Sequence, residues 1–431
     1  MRIIIVGSGA GGATVAKELS ANATTGNDNG RGIEVLLIEK GPAIDDSKDA
    51  SRYYANIRSS EVEILRTFCL GGSTTVSAGN GMRALEKELS VLGIDLSEEF
   101  KEAERELGVR TLPDSHFGEG TRRIMAAAGD LGFEMKKMPK FIDPIRCVPC
   151  GKCSFGCPNN AKWSAIEFIK DAEKNGAKII TGMPVDNIIV KDGEVVGVRS
   201  RDKTFRADIV VLSAGALETP RLLKKQGLLS MSSSTRTRTR TRTHTHTPRI
   251  FVDTFITIGG ILKGVRLNRE VTMNALIAFA DFTLFPHFSN HLVKRMSVSG
   301  IKTSPDDVLG IMVKIKDEEV EVGEMAEADE VKKGITKKDA VLLSEGAAIA
   351  GAILKRAGVE PSSFVSTHVR GAHPGGTAMI GEAVDKNLAT EVSGLYVADA
   401  SVLPASPGAP PILTIVALAK YLSRIILADL T

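Results

Sequence analysis

The chain has 431 residues, 43% of them hydrophobic and 25% charged, which is enough to bury two domains or one large interwoven one. Its formal charge of +3 becomes −1 when the four arginines of one odd tract (Arg236, Arg238, Arg240, Arg242) are set aside, so composition makes no case for a nucleic-acid partner. No apolar run reaches the roughly 20 residues of a bilayer span, and the first strand starts at once with no room for a secretion signal, so no transmembrane segment and a cytoplasmic location are expected.

Residues 2–6 read as a short buried strand running into Gly7, Gly9 and Gly12, spaced G-x-G-x-x-G, and then into a helix over 13–21. One glycine permits the tight turn, one lets backbone N–H groups approach a pyrophosphate, and one lets the helix pack on the strand. The helix presents its positive end to the phosphates. A second apolar run, 34–38, ends in Glu39, where a carboxylate can accept ribose hydroxyls. The order strand, glycine triplet, helix, strand, acid is far more specific than the triplet alone.

Residues 69–80, CLGGSTTVSAGN, are too rich in Gly, Ser and Thr for a helix or an ordinary strand and read as backbone held against a ligand. Helices are predicted over 85–107 and 120–131, then over 164–175. Strands follow at 178–181, 185–190 and 195–200, the last two joined by a turn at Asp192-Gly193. The run 205–212 ends in the small residues Ser213-Ala214-Gly215-Ala216, and Thr219-Pro220 opens another helix.

Residues 230–247, SMSSSTRTRTRTRTHTHT, are of low complexity, lack apolar side chains after Met231 and are expected to be disordered. The tract lacks the aromatics an RNA-binding arm would use for base stacking. Sheet strands are predicted within 251–261, 271–285 and 308–322 and a helix over 337–357; this region is assigned to a substrate-covering domain. A third strand at 395–398 ends in Asp399, and a last helix runs to 427. Three strand ends separated by most of the chain imply a discontinuous cofactor domain.

Four of the five cysteines crowd into Cys147-x2-Cys150-x2-Cys153-x3-Cys157-Pro158. In a reducing compartment such crowding argues for a metal or redox site over disulfides. The spacing is that by which bacterial ferredoxins ligate a [4Fe-4S] cluster. Zinc and free thiols remain alternatives, the spacing being cramped for zinc. Cys69 stands apart and is assigned to packing.

The segments VVLSAGALETPRLL (210–223), HPGGT (373–377) and VADASVLP (397–404), in that order behind the glycine turn, resemble the glucose-methanol-choline (GMC) oxidoreductases, a family of FAD enzymes. The resemblance covers 2–39, 70–80, 153–223 and 373–425. It implies an α/β fold in which a discontinuous, Rossmann-like parallel sheet binds FAD and an interleaved α+β substrate domain roofs the flavin with an antiparallel sheet. On that basis 1–90, 146–229 and 367–431 form the FAD-binding domain, 91–145 a helical insertion and 248–366 the substrate-covering domain.

Carried over residue by residue, Gly7, Gly9, Gly12 and Glu39 hold the ADP portion, and Gly72, Ser73 and Asn80 lie along the pyrophosphate and ring. Val185, Ala214 and Gly215 line the adenine side, Asp399 and Ala400 meet the ribityl and phosphate region, and Thr414 joins the cofactor-binding set. His373 matches the family's base, which takes the alcohol proton as hydride leaves the same carbon for the flavin; an imidazole titrating near pH 6.5 suits that step. His368 has no such context and is read as structural.

The resemblance further implies an alcohol or sugar-like substrate. Because some dye-linked sugar dehydrogenases of the family bind an iron-sulfur cluster through cysteines in this region, it also implies electrons passing through the cluster to a protein or quinone acceptor. Two positions depart from the pattern. Pro410 stands where relatives carry a second His or Asn, and Met379-Ile380 replaces Arg-Met. These departures raise the alternative of an electron-transfer flavoprotein or reductase without alcohol chemistry.

Overall fold

A computed structural model describes residues 1–22, 32–45, 48–58, 61–229, 248–322, 331 and 333–430. The Thr-Arg tract, 230–247, lies outside the described residues. Five parallel strands form the first sheet in the order Leu395–Val397, Ile209–Leu212, Arg2–Val6, Glu34–Ile38, Lys178–Ile180. Ile3, Ile4 and Ile5 are fully buried at its centre, as a continuous β-branched run must be when both faces are covered, here by helix Ala10–Ala21 and by a small antiparallel sheet that includes Glu194–Ser200. Helix Ala10–Ala21 packs between Ala165–Lys174 and Ile412–Ala428, and its small residues let those neighbours approach closely. The strands are parallel, so Val6, Ile38, Leu212 and Val397 all deliver the chain to one edge of the sheet.

The second sheet runs Ile57–Arg58, Glu63–Ile64, Arg370–Gly371, Thr254–Ile261, Val308–Ile315, Phe282–Pro286, Ala275–Ala278, Lys136–Lys137, and is antiparallel except where Glu63–Ile64 meets Arg370–Gly371. Alternation gives it two different faces. Ile256, Val313 and Leu284 are in register and belong to the core under helix Lys337–Arg356. The next row, Arg370, Phe255 and Lys314, is also in register and points the other way, into a cavity between the two sheets.

Three predicted elements are interrupted, each for a local reason. The helix over 85–107 is two, Glu86–Val91 and Ser97–Leu107, because Gly93 takes a left-handed conformation (φ 78°) and the Asp95 carboxylate accepts from Ser97 N at 2.9 Å, starting a new helix. The run 205–212 splits into Lys203–Arg206, in a small antiparallel sheet, and Ile209–Leu212, in the parallel one. The chain changes sheets at Asp208, whose carboxylate accepts from Arg2 N. The region 308–322 holds two strands, Val308–Ile315 and Val320–Glu321, parted where the buried Asp317 draws the N–H groups of Val252 and Asp253 instead of continuing a ladder.

Candidate active site

At the end of the first strand, Gly7 turns with φ 100° and lies so close to the neighbouring strand that a Cβ would sit 2.3 Å from Ser213 O. A Cβ on Gly12 would sit 2.0 Å from Gly7 O, so Gly12 serves helix packing and does not line the cavity. Gly9, the N-cap of helix Ala10–Ala21, has open space where its side chain would be, which leaves the helix's positive end accessible to an anion. Spacing alone does not select Gly11, the tightest of the group: its Cβ would lie 1.6 Å from Ala398 O. The carboxylate of Glu39 accepts from Ser8 N (2.9 Å), Ser8 Oγ (2.6 Å) and Gly41 N (2.6 Å), so it stiffens the turn as well as lining the cavity.

The Gly-Ser-Thr loop forms a tight turn at Gly72–Val76, with Gly72 and Ser73 on the cavity. Two buried lysines, neither of them in a recognisable motif, hold the backbone from Thr75 to Asn80. Lys162 Nζ donates to Thr75 O (2.9 Å), Ser77 O (2.6 Å) and Cys153 O (2.9 Å). Lys140 Nζ donates to Ala78 O (3.0 Å), Thr272 O (2.6 Å) and Asn80 Oδ1, which fixes the Asn80 amide at the cavity wall. Burial pulls Lys140 down to about 7 and Lys162 to about 8.

On the opposite side, Val185, Ala214 and Gly215 line the cavity beside Asp399 and Ala400. Asp399 accepts from Gly215 N (2.8 Å), Thr219 Oγ1 (2.6 Å) and Ser401 N (2.8 Å), tying two strand ends together; burial still raises its pKa. Thr414 is set apart. Its hydroxyl accepts from Ala84 N (3.1 Å) and donates to Ala84 O (3.0 Å), latching the last helix to the segment after the loop, away from the cavity.

His373 lies at the cavity wall under the second sheet. Its Nδ1 is 2.8 Å from Asp253 Oδ2 and 3.3 Å from Lys314 Nζ. A carboxylate only accepts and an ammonium only donates, so the shorter contact assigns Nδ1–H to Asp253 and leaves Nε2 with a free lone pair. Burial first, and then the Lys314 charge, hold His373 below its usual range, while Asp253 pulls it back up. Asp253 is itself fixed by Ser406 Oγ (2.7 Å) and Gly408 N (3.0 Å), from the loop just before Pro410. Lys314 is a strand residue and Asp253 stands just ahead of strand Thr254–Ile261, in a left-handed conformation (φ 52°); no motif surrounds either, and nothing in the sequence marks them. His368 instead pairs with Glu63 at 2.8 Å and meets the ring of His291 edge-on.

These groups enclose one cavity of about 1200 Å³ reaching from Gly9 to His373 and Pro410. That exceeds the roughly 300–1,000 Å³ of pockets for drug-sized ligands, leaving room for a dinucleotide and a small substrate. The sequence models of the family described as GMC oxidoreductase match residues 1–236 and 294–419. The chain belongs to the GMC oxidoreductase family. It is 34% identical to an uncharacterized protein of Methanocaldococcus jannaschii over 98% of this chain and 99% of that one. An uncharacterized GMC-type oxidoreductase of Mycobacterium tuberculosis is 27% identical over 96% of this chain and 74% of its own length. The fold is similar to the crystal structure of pyridoxine 4-oxidase from Mesorbium loti, with a TM-score of 0.70, 17% identity and 99% of each chain covered.

As a GMC oxidoreductase the protein is an FAD-dependent enzyme, and the open glycine turn at a helix N-terminus, continuous with a cavity that ends at an imidazole, fits that cofactor. The cysteine loop does not fit a cluster in the same way. Cys147, Cys150, Cys153 and Cys157 are free thiols, each partly exposed, and among the described residues no three Cys, His, Asp or Glu side chains converge to hold a metal ion. The thiols still sense one another. Burial, and then the charges of its three neighbours, push Cys147 up to about 12. The expected [4Fe-4S] cluster therefore has no support in this geometry. Cys69 is fully buried and packs with Ile44 and Ile166. No helix among the described residues is long and apolar enough to cross a membrane.

Proposed function

We infer that this chain oxidises the CH–OH group of a small-molecule alcohol, with FAD held along the cavity and His373 as the proton acceptor. The observation that carries the reading is the Asp253–His373 pair: Nδ1 is committed to a carboxylate at 2.8 Å, so the imidazole offers Nε2 to the cavity as a base. Gly7, Gly9 and the amino end of helix Ala10–Ala21 bind the diphosphate. Glu39 takes the ribose, Val185, Ala214 and Gly215 line the adenine side, and Gly72, Ser73, Asn80, Asp399 and Ala400 line the remaining length. Bound there, FAD supplies a ring that accepts two electrons as hydride.

The protein's own part is to orient the carbinol, exclude water and receive the hydroxyl proton at His373 Nε2. The depressed basicity of His373 keeps that atom unprotonated at neutral pH, the state a base requires. The Pro410 side chain offers no donor or acceptor at the cavity wall, so side-chain proton transfer falls to His373 alone of this pair of family positions.

The test is anaerobic. The purified protein should show flavin absorbance that bleaches on addition of an oxidisable alcohol. His373→Ala should retain the bound flavin while the bleaching rate falls by about 10²- to 10⁴-fold, the usual contribution of a general base. Unchanged bleaching in the variant would remove His373 from the reaction.

A further inference from the structure

Proton transfer leaves one strong group on the cavity wall unused. Arg370 is only 8% exposed, yet it lines the cavity three residues before His373. A buried guanidinium normally has a carboxylate opposite it. Among the described residues none lies within 4.0 Å of this one. Its Nε has no hydrogen-bond partner, and its terminal nitrogen makes only a long 3.4 Å contact to Ser289 Oγ. Glu63, its register neighbour, spends its carboxylate on Asn56 Nδ2 (2.9 Å) and His368 Nε2 (2.8 Å).

A second basic residue stands beside it. Arg370 and Lys314 flank Phe255 in one row across the sheet, 4.9 Å and 5.2 Å from its ring centroid. Of the two acids that act on Lys314, Asp253 is engaged by His373, Ser406 and Gly408, and Asp317 by Lys333 at 3.0 Å. His287, on the same wall, is driven to about 3 by burial and by these two cations, and so stays neutral. The substrate end of the cavity thus presents a guanidinium with donors to spare, beside a Lys314 whose charge burial disfavours and Asp253 and Asp317 support, a setting that selects an anion of planar, two-oxygen geometry.

We propose that the alcohol oxidised here carries a carboxylate that seats on Arg370, so that the substrates are hydroxy acids and the products oxo acids. This rests on the alcohol-oxidation reading. The carbinol carbon gives up a hydride to FAD, its hydroxyl proton goes to His373, the C–O single bond becomes C=O, and the carboxylate is unchanged. Arg370 is then a substrate-binding residue that sets which alcohols reach the base.

The experiment uses the FAD-loaded protein and matched pairs: hydroxy acids and their neutral primary amides. The wild type should prefer the acid in kcat/KM by roughly 10- to 100-fold, the effect expected of a charge-assisted contact, and Arg370→Gln should erase that preference. Calorimetry with 2-hydroxyisobutyrate, whose tertiary carbinol has no hydride to give, should show binding to the wild type, partial retention in Arg370→Lys and loss in Arg370→Gln. The matched pairs on the wild type decide the matter even if a variant fails to fold. Equal turnover of acid and amide by the wild type overturns the proposal and leaves alcohol oxidation standing. Failure of every alcohol and hydroxy acid to bleach a bound flavin overturns the underlying reading instead. If Arg370→Gln shifts the flavin potential and slows both members of each pair equally, the guanidinium serves the ring and the proposal is also lost.

Discussion

At the scale of single residues the chemistry turns on how His373 is held. Three influences act on it with different signs: burial and Lys314 disfavour the imidazolium, and Asp253 favours it. The acid limb of flavin reduction by substrate should therefore lie below pH 6.5, with the rate rising as pH increases through it. Asp253→Asn removes the one favourable influence, so the limb should move further down in pH. The same variant unfixes the tautomer, and the plateau rate should drop by about two orders of magnitude or more. A limb that moved upward would mean that Asp253 does not face the imidazole. None of this pairing is legible in the sequence. HPGGT marks His373, but its partners sit 120 and 59 positions away, one just ahead of a strand and one within a strand, in stretches whose sequence records only the strands.

At the scale of elements the sequence is most readable where periodicity is strong and least where a buried polar group interrupts it. Helix Lys337–Arg356 and strand Thr254–Ile261 follow their apolar patterns almost to the residue, while the region 308–322 is parted into two strands at Asp317, whose carboxylate collects backbone donors from Val252 and Asp253. Spacing finds the glycine turn, yet it misses Gly11 because the constraint there comes from Ala398, at the far end of the chain. Thr414 shows the reverse error of emphasis. It stands in the first turn of the last helix, away from the cavity, and its hydroxyl is consumed by both backbone groups of Ala84. Thr414→Val should cost about 1–3 kcal/mol in denaturant unfolding, the penalty for stranding buried backbone groups, while FAD affinity is unchanged. A loss of FAD affinity with stability intact would return Thr414 to the cofactor-binding set.

At the scale of the whole molecule the two sheets are joined through a buried ionic knot. Asp317 and Lys333 are both fully buried and 3.0 Å apart, with Asp339 at 3.9 Å from the same ammonium. Asp317 also accepts from Val252 N, Asp253 N and Ser406 Oγ, and so ties the roof sheet to the loop that steadies Asp253. Asp317→Asn breaks a desolvated pair, and we expect a loss of about 3–5 kcal/mol by chemical denaturation. The parallel and antiparallel sheets are legible as classes of element. Their junction is not, because it is built from isolated charged residues that in a sequence look like surface.

The order of strands in the parallel sheet has a consequence for biosynthesis. Of its five strands the first made, Arg2–Val6, is central, and one edge strand, Leu395–Val397, is the last made. The glycine turn appears within the first dozen residues, but the backbone at Ala398 that clamps it arrives last. A ribosome-bound chain stalled short of Ala398 holds half a nucleotide cleft, so loading of the flavin waits until that strand end has been made.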